Sequence, residues 1–302
     1  LFDPVSFAAS LLPQEVASRH AAFLAAAQLS DGGFPGRRGT SDLYYTGFAL
    51  RGLALVGRLD GQVAARAAGF LQGQIGRPMS GADFFSLATS AMLVERVTGS
   101  DVFAAAGRDR RQELGEFFAP FRRPDGGYAK TARGASSTYQ TFLVVWCKQL
   151  AGAEPDEPGP ITRLIRSRQR PDGGFVEIDA MRHSGTNPTA AATALLAGLD
   201  GLDEAVSTAA AGFLAGMQTA EGGLRANARI PVADLLSTFT GLVALAALDS
   251  PAAADRAAAR QFVLALQQPG GGFHAGAWDQ VADVEYTFYG LGSVAMLSGA
   301  EP

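Results

Sequence analysis

With 302 residues, 47% of them hydrophobic and 18% charged, the chain can bury a large core, which excludes an extended disordered protein. Its net charge of −4 gives no general attraction to nucleic acid or anionic membranes, and its one cysteine, Cys147, excludes a disulfide framework or a multi-cysteine zinc site. Residues 1–7 lack the basic and apolar regions of a secretory signal, and no apolar run approaches the ~18 residues of a membrane span, so a cytoplasmic protein is expected.

A frame based on Gln-x-x-Asp-Gly-Gly, followed by an aromatic residue or Leu, recurs at 28–34, 122–128, 169–175, 218–224 and 267–273, with Arg122 for the Gln and Glu221 and Gly270 for the Asp in single copies. Its first glycines are Gly32, Gly126, Gly173, Gly222 and Gly271, at steps of 94, 47, 49 and 49 residues. The first step is twice 47, which puts a decayed copy near Pro78. Six copies of one supersecondary unit therefore fill a single domain, 1–302. In chain order, apolar residues at helical spacing predict the first helix of each repeat over 16–28, 62–74, 110–121, 161–169, 204–218 and 253–267. The glycines end each one, because they take left-handed backbone angles without a Cβ penalty. A second helix follows each turn, over 42–57, 83–99, 136–150, 187–199, 234–248 and 283–297. These are poor in charge, so they are expected to be buried on most sides. An open solenoid would have a similar repeat length. The count of six, the apolar second helices and the lack of polar end repeats favour closure into an all-α fold, an α/α toroid of about twelve helices. Only Lys130 and Lys148 among the 25 basic residues are lysine, a skew that suggests a bacterial source.

The second helices begin at Asp42, Asp83, Ser136, Gly185, Asp234 and Asp283. Asp is a preferred N-cap, which accounts for four acids without any chemistry. Three and six residues further on stand Tyr45 and Phe48, Tyr139 and Phe142, and Tyr286 and Tyr289 in repeats one, three and six. Residues three apart share a helix face, so both rows are expected to line a central cavity, with Trp146 in its wall. Five of the six tyrosines fall in these helices. Plain core packing is the alternative to an aromatic pocket, but the hydroxyls need partners and favour a wet or ligand-bearing cavity. The loops leading in carry Arg37, Arg38, Lys130, Arg133, Arg182, His183, Arg225 and Arg229. In a closed ring these would join six helix N-termini at one rim as an anion site, and an apolar tunnel below it would suit an isoprenoid diphosphate.

The frame, repeated at this spacing over the whole chain, resembles that of the prenyltransferase and squalene-cyclase repeat superfamily. That group includes protein prenyltransferase β subunits and the domains of class II terpene cyclases. The resemblance implies the toroid, and says less about the reaction, since one fold hosts several chemistries. In the β subunits it implies a zinc held by an Asp-x-Cys pair and a His. The matching positions here are Asp234, Leu236 and Tyr286, so zinc is not expected. Mg²⁺ between a diphosphate and the rim acids Asp234 and Asp283 remains open. A His near the fourth inner helix contacts the diphosphate in that family, and His183 stands two residues before the matching Gly185. A helical-repeat partner subunit is implied as well. The cyclases protonate an alkene or epoxide with the middle acid of Asp-x-Asp-Asp followed by Thr. Here Asp283-Val284-Glu285-Tyr286-Thr287 puts Glu285 at the proton-donor place, with Tyr286 replacing an acid. Such cyclases are also expected to need a second helical domain. The expectation is a protein that binds a prenyl diphosphate or another isoprenoid, of prenyltransferase β type, with a cyclase or a non-catalytic scaffold as alternatives. Asp283, Glu285 and Asp234 are its candidate catalytic groups.

Overall fold

The computed structural model describes residue 12, residues 14–153 and residues 157–298, so the reading of 1–7 lies outside the described residues. Among the described residues are thirteen α-helices, none of them long and apolar enough to cross a membrane. In chain order they are α1 (Gln14–Ala26), α2 (Leu43–Leu55), α3 (Gly61–Gln72), α4 (Gly81–Thr98), α5 (Val102–Ala105), α6 (Arg110–Phe118), α7 (Thr138–Leu150), α8 (Pro158–Ser167), α9 (Thr186–Gly198), α10 (Glu204–Ala215), α11 (Leu235–Ala247), α12 (Arg256–Ala265) and α13 (Val284–Ser298). A two-stranded antiparallel ladder, β1 (Tyr128–Ala129) with β2 (Ser136–Ser137), closes the loop before α7. All twelve expected helices form. The short α5 is additional, capped by Asp101.

The glycine frame is explained by two constraints acting on one residue. Its first glycine has φ between 87° and 98° in all five clear copies, a region that L-residues avoid. A Cβ there would also strike the following first helix: at Gly222 it would lie 2.2 Å from the Ala258 carbonyl oxygen. The frame Gln leaves its helix to bond the turn, donating to the carbonyl of Gly32, Gly173 or Gly222 in three copies. The first helices therefore stop two or three residues short of the expected ends.

The next step is a threonine one turn into each second helix. Thr46, Thr141, Thr189, Thr238 and Thr287 accept the backbone N–H of Phe34, Tyr128, Phe175, Leu224 and Phe273 at 2.9–3.1 Å. Those five apolar side chains are buried, so the threonine satisfies an N–H that water cannot reach. Each threonine lies four residues after the helix N-cap, which fixes the register of the repeats. In repeat three the N-cap is Ser137, one residue later than expected. In repeat two it is Ser80, and Asp83 sits inside the first turn as the return partner of a capping box.

The helices form two compact units, Leu114–Phe262 and Phe2–Glu113 with Val263–Pro302. In the second of these, α2 packs between α4 and α13, with α1 against both α2 and α13. Gly47 lets α2 approach α4, since a Cβ there would fall 2.8 Å from that of Ser86. In the other unit, α9 packs between α7 and α11 over a core that includes Ile161, Ile165, Phe175, Leu195 and Leu214.

Candidate functional site

The polar and aromatic residues expected at the helix starts assemble most fully where α2 meets α13. Glu285 lies two residues past the α13 N-cap, Tyr44 two residues past the α2 N-cap, and the Tyr44 hydroxyl donates to Glu285 Oε1 at 2.7 Å. Burial pushes the Glu285 carboxyl above its ordinary range and neighbouring Asp283 adds to this, while the Tyr44 hydrogen bond and the Arg51 and Arg37 guanidinium groups pull it back. Tyr45 is likewise raised, by burial and by the carboxylates of Glu285, Asp283 and Asp42.

Around this pair the rings interlock edge to face. Tyr44 meets Tyr45 and Phe48 at centroid distances of 5.3 and 4.8 Å, and Phe48 meets Tyr289 at 5.1 Å and Phe288 at 5.6 Å. Tyr286 stands 6.2 Å from Tyr289. The Arg51 guanidinium lies over Phe48 at 4.2 Å and Phe288 at 4.9 Å, while its Nε donates to the Gly47 carbonyl. A carboxyl whose pKa is raised by burial, with aromatic rings nearby, is a candidate proton donor.

Asp283 has two structural engagements. Its Oδ1 caps α13 by accepting the Tyr286 N–H, and its Oδ2 accepts Arg37 Nε at 2.9 Å. The other face of Arg37 grips Asp279 through both terminal nitrogens. Burial works against ionisation of Asp279, but Arg37 and the N–H groups of Val281 and Ala275 outweigh it and hold the carboxyl low. Arg37, expected as a loop cation for an anionic ligand, is thus bound to two buried carboxylates. Nothing in the sequence spacing had marked Asp279.

The remaining candidates lie in the unit of repeats three to five. Tyr139, Phe142 and Trp146 form a ladder along α7, with centroids 6.2 and 5.0 Å apart. The register correction puts Tyr139 two residues past its N-cap rather than three, and it is 40% exposed. It corresponds to Tyr44, and its expected equivalence to Tyr45 does not hold. Asp234 caps α11, accepting the Ser237 N–H and hydroxyl at 2.7 Å each, and burial raises its pKa. Arg182, His183 and Arg229 are exposed on their loops. Arg225 turns toward the first helix, donating to the Gly216 carbonyl, which is not the orientation expected of a rim anion contact. Cys147 is buried, and burial drives its thiol far up. Among the described residues no three His, Cys, Asp or Glu side chains gather as a metal would require.

Helical hairpins pinned by glycine turns, with buried second helices whose starts carry the polar groups, define a toroid-class helical repeat. The chain belongs to the prenyltransferase alpha-alpha toroid domain family, whose model matches residues 15–72 and 79–301. The expected superfamily and all-α toroid fold are therefore its family and fold. It is 30% identical over 168 residues to the protein farnesyltransferase subunit beta of Schizosaccharomyces pombe, a match covering 51% of this chain and 43% of that relative. The chain thus matches less than half the length of this curated relative. Candida albicans protein geranylgeranyltransferase-I complexed with GGPP superposes with a TM-score of 0.75 at 15% identity, over 93% of this chain and 91% of that one. A type II terpene cyclase from Scytonema, in complex with geranylgeranyl dihydroxybenzoate, gives 0.66 at 15% identity and 99% coverage of both chains. Likeness at that level is one of fold.

Proposed function

We propose that this chain binds an isoprenoid against the aromatic faces of α2 and α13, and that Glu285 acts there as a general acid on a carbon–carbon double bond. The observation that carries the reading is the buried Glu285 carboxyl bonded to Tyr44, whose ring meets Phe48 and through it Tyr289, with burial favouring the protonated form. In the step proposed, the proton leaves Glu285 and the alkene π pair forms the new C–H bond. The adjacent carbon becomes a cation, a second alkene of the same isoprenoid gives its π pair to close a ring, and the cyclised cation loses a proton to solvent, from which Glu285 is reprotonated. Asp283 holds Arg37 and the helix start, a supporting role. Zinc-activated transfer is not favoured, because Leu236 and Tyr286 offer neither thiolate nor imidazole. Mg²⁺ on Asp283 is disfavoured by the guanidinium already there.

A second reading, prenyl-diphosphate binding of the prenyltransferase β type beside a partner subunit, is supported by the match to farnesyltransferase beta. It is weakened by the engagement of Arg37 and the turn of Arg225 away from the helix starts. Incubation with geranylgeranyl diphosphate or geranylgeraniol in D₂O, followed by mass spectrometry, tests the first reading. Deuterium-bearing cyclised product, abolished in Glu285→Gln, is expected. Calorimetric binding of the diphosphate without any deuterium uptake would favour the second reading. Binding of neither isoprenoid would remove both and leave a scaffold.

A further inference from the structure

The reading of Glu285 as an acid leaves open which of its two oxygens carries the proton, and the α2–α13 junction answers that. We infer that Tyr44 is a positioning residue for Glu285: its hydroxyl, donated to Oε1, keeps the transferable proton on Oε2 and steadies the carboxylate left behind. This rests on the proposed function.

Three observations support it. First, the two residues occupy the same register position, two past the N-cap, on helices packed against each other. The corresponding positions elsewhere hold Ala82, Tyr139, Asn187 and Leu236, so among the six only those of repeats one and six pair an acid with a donor. Second, the Tyr44 ring is set edge-on by Tyr45 and Phe48, which aims its hydroxyl without relying on Glu285. Third, a neutral carboxyl has one acceptor oxygen and one donor oxygen. A phenol donating to Oε1 makes Oε1 the acceptor. As the proton moves from Oε2 to the alkene carbon, its O–H electron pair stays on the carboxyl group. Negative charge then grows on Oε1, where the Tyr44 hydrogen bond strengthens at the transition state. Tyr44 gives up no proton in the net reaction, so the atoms balance with Glu285 and the isoprenoid alone.

The test uses the whole protein and the variant Tyr44→Phe, which keeps the ring and its edge contacts. Infrared difference spectra against Glu285→Gln isolate the Glu285 carboxyl band and its titration, whether or not the protein turns over. In Tyr44→Phe the C=O stretch should move to higher frequency and the carboxyl should titrate at higher pH. Deuterium uptake into geranylgeraniol should fall about 10- to 100-fold, the loss expected of one hydrogen bond to a developing charge, with little change in KM. A band and titration identical to those of the unsubstituted protein would overturn the role of Tyr44 while leaving Glu285 as the acid. If no neutral carboxyl is lost in Glu285→Gln between pH 5 and 8, the acid reading itself fails and this inference with it. Should Tyr44→Phe fold poorly, Tyr45→Phe with Tyr44 intact becomes the comparison: it removes a neighbouring phenol and should leave the C=O stretch in place. A displaced band there would show that Tyr44 does not set it.

Discussion

Acidification should open the junction between the first and last repeats through His20. In three other copies of the frame, an Asp accepts the N–H of the second glycine: Asp31, Asp125 and Asp172, each held by a serine hydroxyl. Repeat six has Gly270 at that position, and His20 of α1 takes its place: Nδ1 accepts the Gly272 N–H at 2.9 Å. The proton is therefore on Nε2, which faces Gln267 Oε1 at 3.1 Å, while the ring stacks 4.6 Å from Phe273. Burial lowers the His20 pKa; the Gln267 bond partly offsets this and Arg19 adds to the lowering. The other charged side chains on the helices packed against α1 are Arg51 on α2 and Glu285 on α13. Because the folded pKa lies below the unfolded one, this contribution is complete above about pH 6.5 and is lost as pH falls toward the folded value. In that window the unfolded chain binds the extra proton, at up to ~1.4 kcal/mol per pH unit. Urea unfolding between pH 7 and 5.5 should thus show about 1 kcal/mol more loss in the unsubstituted protein than in His20→Gln. Parallel pH profiles for the two proteins would refute the assignment.

Glu285→Gln should be more stable than the unsubstituted protein at pH 8, on the order of 1 kcal/mol. A raised acid contributes stability below its unfolded pKa and loses it as pH rises through the folded one, so the difference should close on acidification; thermal melts at pH 8 and 5 check this. Arg37→Ala strands two carboxylates whose side chains are 7% and 3% exposed. A cost of roughly 2–4 kcal/mol follows, below that of a fully buried pair because Arg37 itself reaches solvent, and urea unfolding would measure it. Gly222→Ala should cost more than ~2 kcal/mol, since φ is 93° and the new Cβ meets the Ala258 carbonyl. Gly212→Ala, on an open face of α10, should instead stabilise by about 0.5–1 kcal/mol. Calorimetric melting of that pair tests the account of the glycine frame.

The helices were legible because two signals agreed, apolar periodicity and a glycine that only one backbone angle explains. Register was less legible. Ser136 and Ser137 are adjacent serines, and spacing alone cannot say which caps α7; the threonine four residues on decides for Ser137, through its bond to the Tyr128 N–H. That threonine recurs in five repeats and was readable from the sequence, had the turn N–H been asked for a partner. Asp279, Arg37 and Tyr44 were not legible as partners, because their contacts span 241 to 246 residues and depend on which helix packs beside which.

The threonines also explain how one scaffold can host different chemistries. Each ties the turn to its helix at N-cap+4 and fixes the backbone of the first helical turn without using the side chains at N-cap+2. Those positions are Tyr44, Tyr139, Asn187, Leu236 and Glu285, five residues of four chemical types on equivalent backbones. Asn187 already uses its freedom differently from Glu285, accepting from Thr240 at 2.6 Å where Glu285 accepts from Tyr44. Fold is thus specified by Gly, Thr and the apolar residue between them. Reaction depends on a position that those three leave unconstrained, which is why a frame repeated along the whole chain identifies the toroid and says so little about what the toroid does.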